Sequence, residues 1–346
     1  MNNKLHTIDD LFRSNSIGSI NKALGYALYG INLHWSSSHI PANQYRAGYT
    51  LFTRPQLNMT TDNLLADRSM LNLLNKDPAS IGRFVRCTLD PRLMNRSKYN
   101  PTPYSCPLVN NKQAFIPILS NTITSVSGWP SWTVPLFNEK EGLYGQSYSQ
   151  VDGRVDIRSP VELTVSTNVN AAGEPLLNII KTWALYMAHV SEGTVLSPYN
   201  DMLIENEIDY QTRCWRLGMD KSGSRVVKMA ATGPGMPINV PIGEGFDFND
   251  ETIYNQEKLS YRFTFMGVEY DDPILVYDFN KTVVAFNNEM DDNFREARMM
   301  MVEDIAMPFL SHLAYPRINP DTMILEFWIE KAVAQTILEK YISVTK

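Results

Sequence analysis

Apolar and polar positions keep a regular rhythm only in the middle of this chain. Over VELTVSTNV (161–169), Val161, Leu163 and Val165 alternate with polar residues, which predicts a half-buried strand. The period then lengthens. In PLLNIIKTWALYMAHV (175–190), Leu176, Ile179, Ile180, Trp183, Tyr186, Met187 and Val190 recur at helical spacing. That predicts a helix opened by Pro175, where a missing N–H has no partner to lose, and ended by Gly193 and Pro198. The runs ENEIDYQTRCWRLGM and SRVVKMAATG flank Asp220-Lys221-Ser222-Gly223, a glycine-bearing turn, and predict a hairpin. Pro234, Pro237 and Pro241 suit the next segment to an edge or a loop. EKLSYRFTFMGVEYDD (257–272) alternates again and places Leu259, Tyr261, Phe263 and Phe265 on one face.

The flanks are less regular. Leu11, Ile17, Ile20 and Leu24 give the first 30 residues a weak helical pattern. Residues 60–76 predict a firm helix, with Leu64, Leu65, Met70, Leu71, Leu73 and Leu74 near helical spacing and Thr61 or Asp62 as its cap. The stretches around this helix, notably Asp90 to Pro107, are rich in Asn, Pro, Ser and Tyr, and predict long ordered loops or arms packed on something else. AFIPIL (114–119) predicts a short strand. SGWPSWTVP (127–135) sets Trp129 and Trp132 among two prolines and a glycine, to anchor a loop against a neighbour or to stack on a base or a sugar. Two helices are expected at the end, over 288–313 and 321–344, the second with Met323, Phe327, Ala334, Ile337 and Tyr341 on one broad face. The expected fold class is α+β: an irregular, extended region over 1–150, a β domain with one packed helix over 151–280, and a helical region over 281–346.

Composition adds a charge asymmetry. The chain has 346 residues, 44% hydrophobic and 20% charged, ordinary for a folded protein. No apolar run is long enough for a membrane helix, and MNNKLHTIDDLF lacks a signal-peptide pattern, so synthesis and assembly are expected in a cytoplasm. Cys87, Cys106 and Cys214 are widely spaced and suggest buried thiols, with neither a disulfide framework nor a zinc site. The net charge of −6 divides into +7 over residues 1–135 and −13 over the rest. Such a division suits contacts between copies, basic region to acidic region, or one sign of charge on a functional surface, or charges merely scattered over solvated faces.

Chemistry is sparse. GxGxxG, GxxxxGK[ST], HExxH and GxSxG are all absent from the sequence, and no catalytic residue, metal ligand or cofactor is expected. His34 and His39 sit in a Ser-rich stretch that reads as a loop. Glu205, Glu207 and Asp209 alternate as if on one strand face, which fits a cation site, an acid/base pair, a solvated face, or a negative lining or socket within an assembly. Asp247 to Glu251 lacks the glycine and glutamate of a calcium loop. Arg83, Arg86, Arg92 and Arg96 form a basic region. In an acidic chain it suits an acidic neighbouring subunit better than nucleic acid.

The order VELTVSTN, PLLNIIKTWALYMAHV, the hairpin around DKSG, ATGPGMPINVP and KLSYRFTFMGVEY resembles the tube fold of bacteriophage tail proteins, which bacterial secretion machines share. The flanking FTRPQLN, CPLVNN, SGWP and EGLYG are similar in texture to virion structural proteins of large tailed phages. The resemblance implies a structural protein of the virion tail, not an enzyme. Six copies would close a ring through a continuous antiparallel β-barrel, and rings would stack head to tail into a tube that conducts genomic DNA without sequence-specific contact. Glu205, Glu207 and Asp209 would be candidates for its negative lumen lining. Arg83, Arg86, Arg92 and Arg96 would make inter-subunit contacts, with sheath, neck or baseplate proteins as further partners and no membrane. A neck, connector or baseplate component of a contractile tail is the alternative position; an unrecognised enzyme is the alternative of another class.

Overall fold

The alternating segments pair as their pattern requires. In this computed structural model, β5 (Val161–Asn168) runs antiparallel to β9 (Lys258–Phe265), with Val161 opposite Phe265 and Asn168 opposite Lys258. Val161, Leu163 and Val165 therefore share a face with Leu259, Tyr261, Phe263 and Phe265, and all seven are buried. β2 (Ile123–Ser127) flanks β5 and β8 (Gly235–Pro237) flanks β9, giving the order β2-β5-β9-β8. The described residues are 48–78, 80–93, 104–140, 142–153, 160–193, 197–205, 207–220, 222–245, 258–302 and 313–336, with backbone only over 168–174. The pattern read over 1–30, together with His34, His39, Arg96, Asp247–Glu251, Ile337 and Tyr341, lies outside them.

β5 passes straight into the long helix Val169–Ser191, so Pro175 lies inside that helix and does not open it. Leu176, Ile179, Ile180, Trp183 and Tyr186 join the buried face of the sheet in one core. Trp183 meets Phe263 edge-on at 6.4 Å, and its indole N–H donates to the Tyr210 carbonyl at 2.9 Å. Phe52, Leu57, Met59, Leu64 and Leu89, from the irregular N-terminal part, fill the same core.

A second sheet has the order β1-β6-β7-β10: β1 (Gly48–Phe52), β6 (Cys214–Met219), β7 (Val226–Thr232) and β10 (Val268–Tyr270). The predicted hairpin is β6–β7. Gly223 at φ +72 closes its turn, and the Ser222 hydroxyl donates to Asp220. Along β6, Trp215, Leu217 and Met219 face a second core with Leu275, Val276, Phe279 and Val283 of the helix Ile274–Phe286. Trp215 packs edge-on to Phe279 at 5.5 Å. Residues between these, Arg216 and Gly218, point to the opposite face. Among the described residues neither sheet closes on itself. β1, β10 and β2 are open edges, while the outer side of β8 is bridged by Thr212 to Gly235.

Four expectations change. AFIPIL is not a strand: Pro117 fixes a helical φ at the first position of a short helix, Pro117–Thr122, and only Phe115 makes an isolated bridge, to Thr53. The helix expected over 60–76 breaks at Asp67, which is extended (φ −125). It becomes Thr61–Ala66 followed by a 3-10 turn, Arg68–Leu74, capped by the Asp67 carboxylate on Ser69 N–H. The first hairpin strand begins only at Cys214; a helix, Asn200–Glu205, and turns precede it. Among the described residues, a three-stranded sheet, β11-β13-β12, from Met299–Met301, Leu325–Glu330 and Tyr315–Ile318, stands in the region of the expected C-terminal helices. Pro316 and Pro320 bar a continuous helix there, and Met323 sits in a turn at φ +58. Helical structure resumes over 331–336.

Candidate functional site

The acidic triplet does not form a row. Glu205 ends a helix, Glu207 follows in an exposed turn, and Asp209 is 2% exposed. The Tyr186 hydroxyl donates to the Asp209 carboxylate at 2.5 Å, and burial pushes the Asp209 pKa up. Period-two alternation in sequence carries no facing without a strand to impose it. A lumen role for Asp209 is thereby corrected: its carboxylate is an internal support.

The basic residues are mostly engaged within their own chain. Arg86 is buried, donates to the Met59 carbonyl at 2.7 Å and lies over the Tyr104 ring, which Arg83 also covers. Arg83 donates to the Ser105 carbonyl at 2.7 Å. Arg92 donates to Gln56 at 2.6 Å and pairs with Asp201. Arg86 is therefore corrected from an inter-subunit cation to a packed core group. Next to it lies Asp90, fully buried, which accepts from Tyr199 Oη at 2.5 Å, Met59 N at 2.9 Å and Arg92 N at 3.1 Å. Burial outweighs these donors and raises its pKa from 3.8 to about 6. Sequence reasoning missed this carboxylate, as it missed Arg54. The buried Arg54 guanidinium donates to the carbonyls of Cys87, Thr88, Asn110 and Gln113.

Two surface features remain unexplained by the fold itself. The first is an arm. β3 (Leu136–Asn138) and β4 (Ser149–Val151) form an antiparallel ladder extended by Asp152 N–H to Pro135 O (2.8 Å), Glu139 N–H to Tyr148 O (2.9 Å) and Gly142 N–H to Gln146 O (2.9 Å). Both strands are exposed on both faces, yet they carry Leu136, Phe137 and Val151, with Tyr148 just before the second strand, and the tip carries Leu143 (102% exposed) and Tyr144 (92%). Contiguous exposed apolar surface of this kind marks an interaction site.

The second is a trough beside the base of that arm. It encloses about 770 Å³ on the outer face of β6 and β7. Gly218 and Ala230 form part of its floor, Arg216 and Lys228 supply positive charge, and Trp129, Trp132 and Tyr270 wall it. Tyr270 lies 6.3 Å from Trp129 and 6.4 Å from Trp132, and its hydroxyl donates to Pro130 O at 2.6 Å. The two tryptophans thus anchor their loop within the chain, while Trp132 stays 57% exposed. The trough carboxylate Asp271 accepts from Met229 N–H at 2.8 Å. Among the described residues, Arg216 bonds to Thr50 Oγ1 at 3.3 Å and has no carboxylate within ion-pair distance.

Among the described residues no group of three or more His, Cys, Asp and Glu could hold a metal ion, and no helix is long and apolar enough to cross a membrane. The family model described as "Putative phage tail tube protein" matches residues 1–342. No curated protein matches. Among solved structures, the sheath/tube terminator of an extracellular contractile injection system in its extended state is 10% identical. It aligns with 46% of this chain and 88% of its own at a TM-score of 0.23. The sheath-tube complex of the same system is 10% identical, with 45% and 82% covered and a TM-score of 0.24. The tube terminating cap of the anti-feeding prophage is 13% identical, with 45% and 81% covered and a TM-score of 0.23.

Proposed function

The chain belongs to this family of phage tail tube proteins, and from that membership we propose that it is a structural subunit of a tailed-phage virion that polymerises through its own surface and performs no catalysis. The observation that carries the reading is the arm between Pro135 and Asp152, whose exposed apolar side chains find no burial among the described residues. Burying them against another copy or another tail protein removes that surface from water. The open edges of β1, β10 and β2 add backbone donors and acceptors that a neighbour can pair.

In the fuller form of the proposal, six copies close a ring, their sheets join across subunits, and rings stack into a tube through which genomic DNA passes. Glu205 and Glu207, both exposed, are the acidic candidates for the lumen. A sheath, neck or baseplate protein would contact the outside or the ends. Negative-stain electron microscopy and sedimentation velocity across a concentration series test this. Rings or stacked tubes with sixfold end views support it; small uniform particles at every concentration refute it.

A further inference from the structure

We propose that the trough on β6 and β7 is the socket for the hairpin tip of a second copy of this chain. This rests on the tube-subunit reading and deepens it by naming the two surfaces that meet. The arm is acidic by a single charge, since Glu139, Lys140 and Glu141 sum to −1, and its tip is apolar and aromatic, with Leu143 and Tyr144 exposed. The trough is cationic and aromatic, with Arg216 and Lys228 facing Trp132 and Tyr270. Its volume lies within the 300–1,000 Å³ range that buries a compact ligand or a few side chains. Its small floor residues, Gly218 and Ala230, leave room for an inserted ring. A tyrosine seated among tryptophan and tyrosine rings gains offset or edge-on contacts, while an arm segment of net charge −1 meets a trough whose Arg216, Lys228 and Asp271 sum to +1.

The tip cannot occupy the trough of its own chain. The trough begins at Trp129–Trp132, immediately before the arm, and the ladder from Pro135·Asp152 to Gly142·Gln146 holds the tip away from that base. At about 3.3 Å per residue the tip stands up to roughly 25 Å from its root. Each copy thus displays a knob at one end of the arm and a socket at the other. A contact between unlike surfaces repeats in one direction and makes a closed ring or an open filament according to the rotation between copies. Nucleic acid is the less favoured occupant. The trough offers two cations and one carboxylate in a chain of net charge −6, whereas phosphate binding calls for a basic stripe.

The test uses the full chain with Tyr144→p-benzoylphenylalanine, photolysed in a mixture of ordinary and 15N-labelled protein, with crosslinked peptides sequenced by mass spectrometry. The expected result is mixed-isotope crosslinks from position 144 to the 129–132 or 228–230 segments. Crosslinks landing elsewhere, or only within one chain, overturn the proposal. In parallel, Trp132→Ser with Lys228→Glu, both at exposed positions, should weaken assembly by about thirtyfold or more in concentration. Glu139→Lys with Tyr144→Ser should do the same. Mixing these two double variants should restore a tip–socket contact between unlike variants and so a heterotypic association that neither variant makes alone; no association beyond that of the separate variants refutes the pairing. Assembly of the socket variant at the wild-type concentration refutes the trough and leaves the tube-subunit reading standing. Failure of the wild type to assemble at any concentration refutes both. If a duplex oligonucleotide quenches the tryptophan fluorescence of the wild type but not of the socket variant, at a salt that permits assembly, the trough belongs to nucleic acid and the proposal falls.

Discussion

Asp90 gives the chain a pH dependence opposite to that of most paired carboxylates. Its side chain is fully buried, and burial raises its pKa from 3.8 to about 6 against the pull of three hydrogen-bond donors and the nearby Arg86. Between those two values the native chain holds a proton that the unfolded chain has released. Stability therefore falls as pH rises through that window. The displacement is worth roughly 3 kcal/mol in full. That amount is absent above about pH 7 and about half recovered by about pH 5. Asp209, also raised by burial, acts in the same direction. Asp67, Asp201, Asp220 and Asp292, held below 3.8, act in the opposite sense and only on further acidification. Urea unfolding followed by tryptophan fluorescence, at concentrations too low for assembly, should show a midpoint that drops between about pH 5 and 7.5. Asp90→Asn keeps an oxygen to accept from Tyr199 Oη and Met59 N–H but cannot titrate, so it should remove most of that slope. A wild-type midpoint that rises over this range, or an Asn variant that keeps the wild-type slope, would show that the carboxylate is stabilised in its charged form and the reasoning is wrong.

Other consequences are independent of that carboxylate. Arg54→Ala strips donors from four carbonyls in the layer between Cys87 and Gln113 and should cost about 3–5 kcal/mol by denaturant unfolding. Trp183→Ala empties the centre of the first core and frees the Tyr210 carbonyl, for a loss of about 3–5 kcal/mol by the same measurement. Gly235→Ala should cost about 1–3 kcal/mol, because its new methyl group would sit 2.2 Å from Phe265 Cδ1 and Thr264 O and force β8 off β9; slow hydrogen exchange at Met266 N–H, which donates to Pro234 O, should be lost with it. Leu143→Ser with Tyr144→Ser should leave the unfolding midpoint within about 0.5 kcal/mol of wild type, since neither side chain is buried, while sedimentation shows assembly weakened.

Period-two and helical patterns were legible wherever a single face meets a core. β5, β9, the long helix and the β6–β7 hairpin follow their sequence patterns because Leu163, Phe263, Trp183 and Leu217 each have one buried direction. Legibility ended where tertiary position overrides spacing. Met323 and Phe327 stand four apart as on a helix, yet one lies in a left-handed turn and the other in a strand. Glu205, Glu207 and Asp209 alternate as in a strand, yet they straddle a helix end and a turn. Arg54 and Asp90 gave no local signal because their partners, Asn110 and Tyr199, lie 56 and 109 residues away.

The arm was illegible for a different reason. Its apolar residues are not arranged to bury a face within the chain, so EGLYG reads as texture without chemistry. In an assembling subunit the burial that explains a residue can lie in another molecule. Side chains such as Leu143 and Tyr144 then look misplaced in the monomer. The same holds for Arg216, a half-buried cation among the described residues with a single weak hydrogen bond to Thr50. Exposed apolar groups gain from burial against other apolar surface, such as the Trp132 and Tyr270 rings of the trough, and a half-buried cation gains from an anion brought beside it. An arm tip bearing the first and a trough bearing the second, displaced along one chain, are therefore more economically read as two halves of one contact than as two separate defects of the fold.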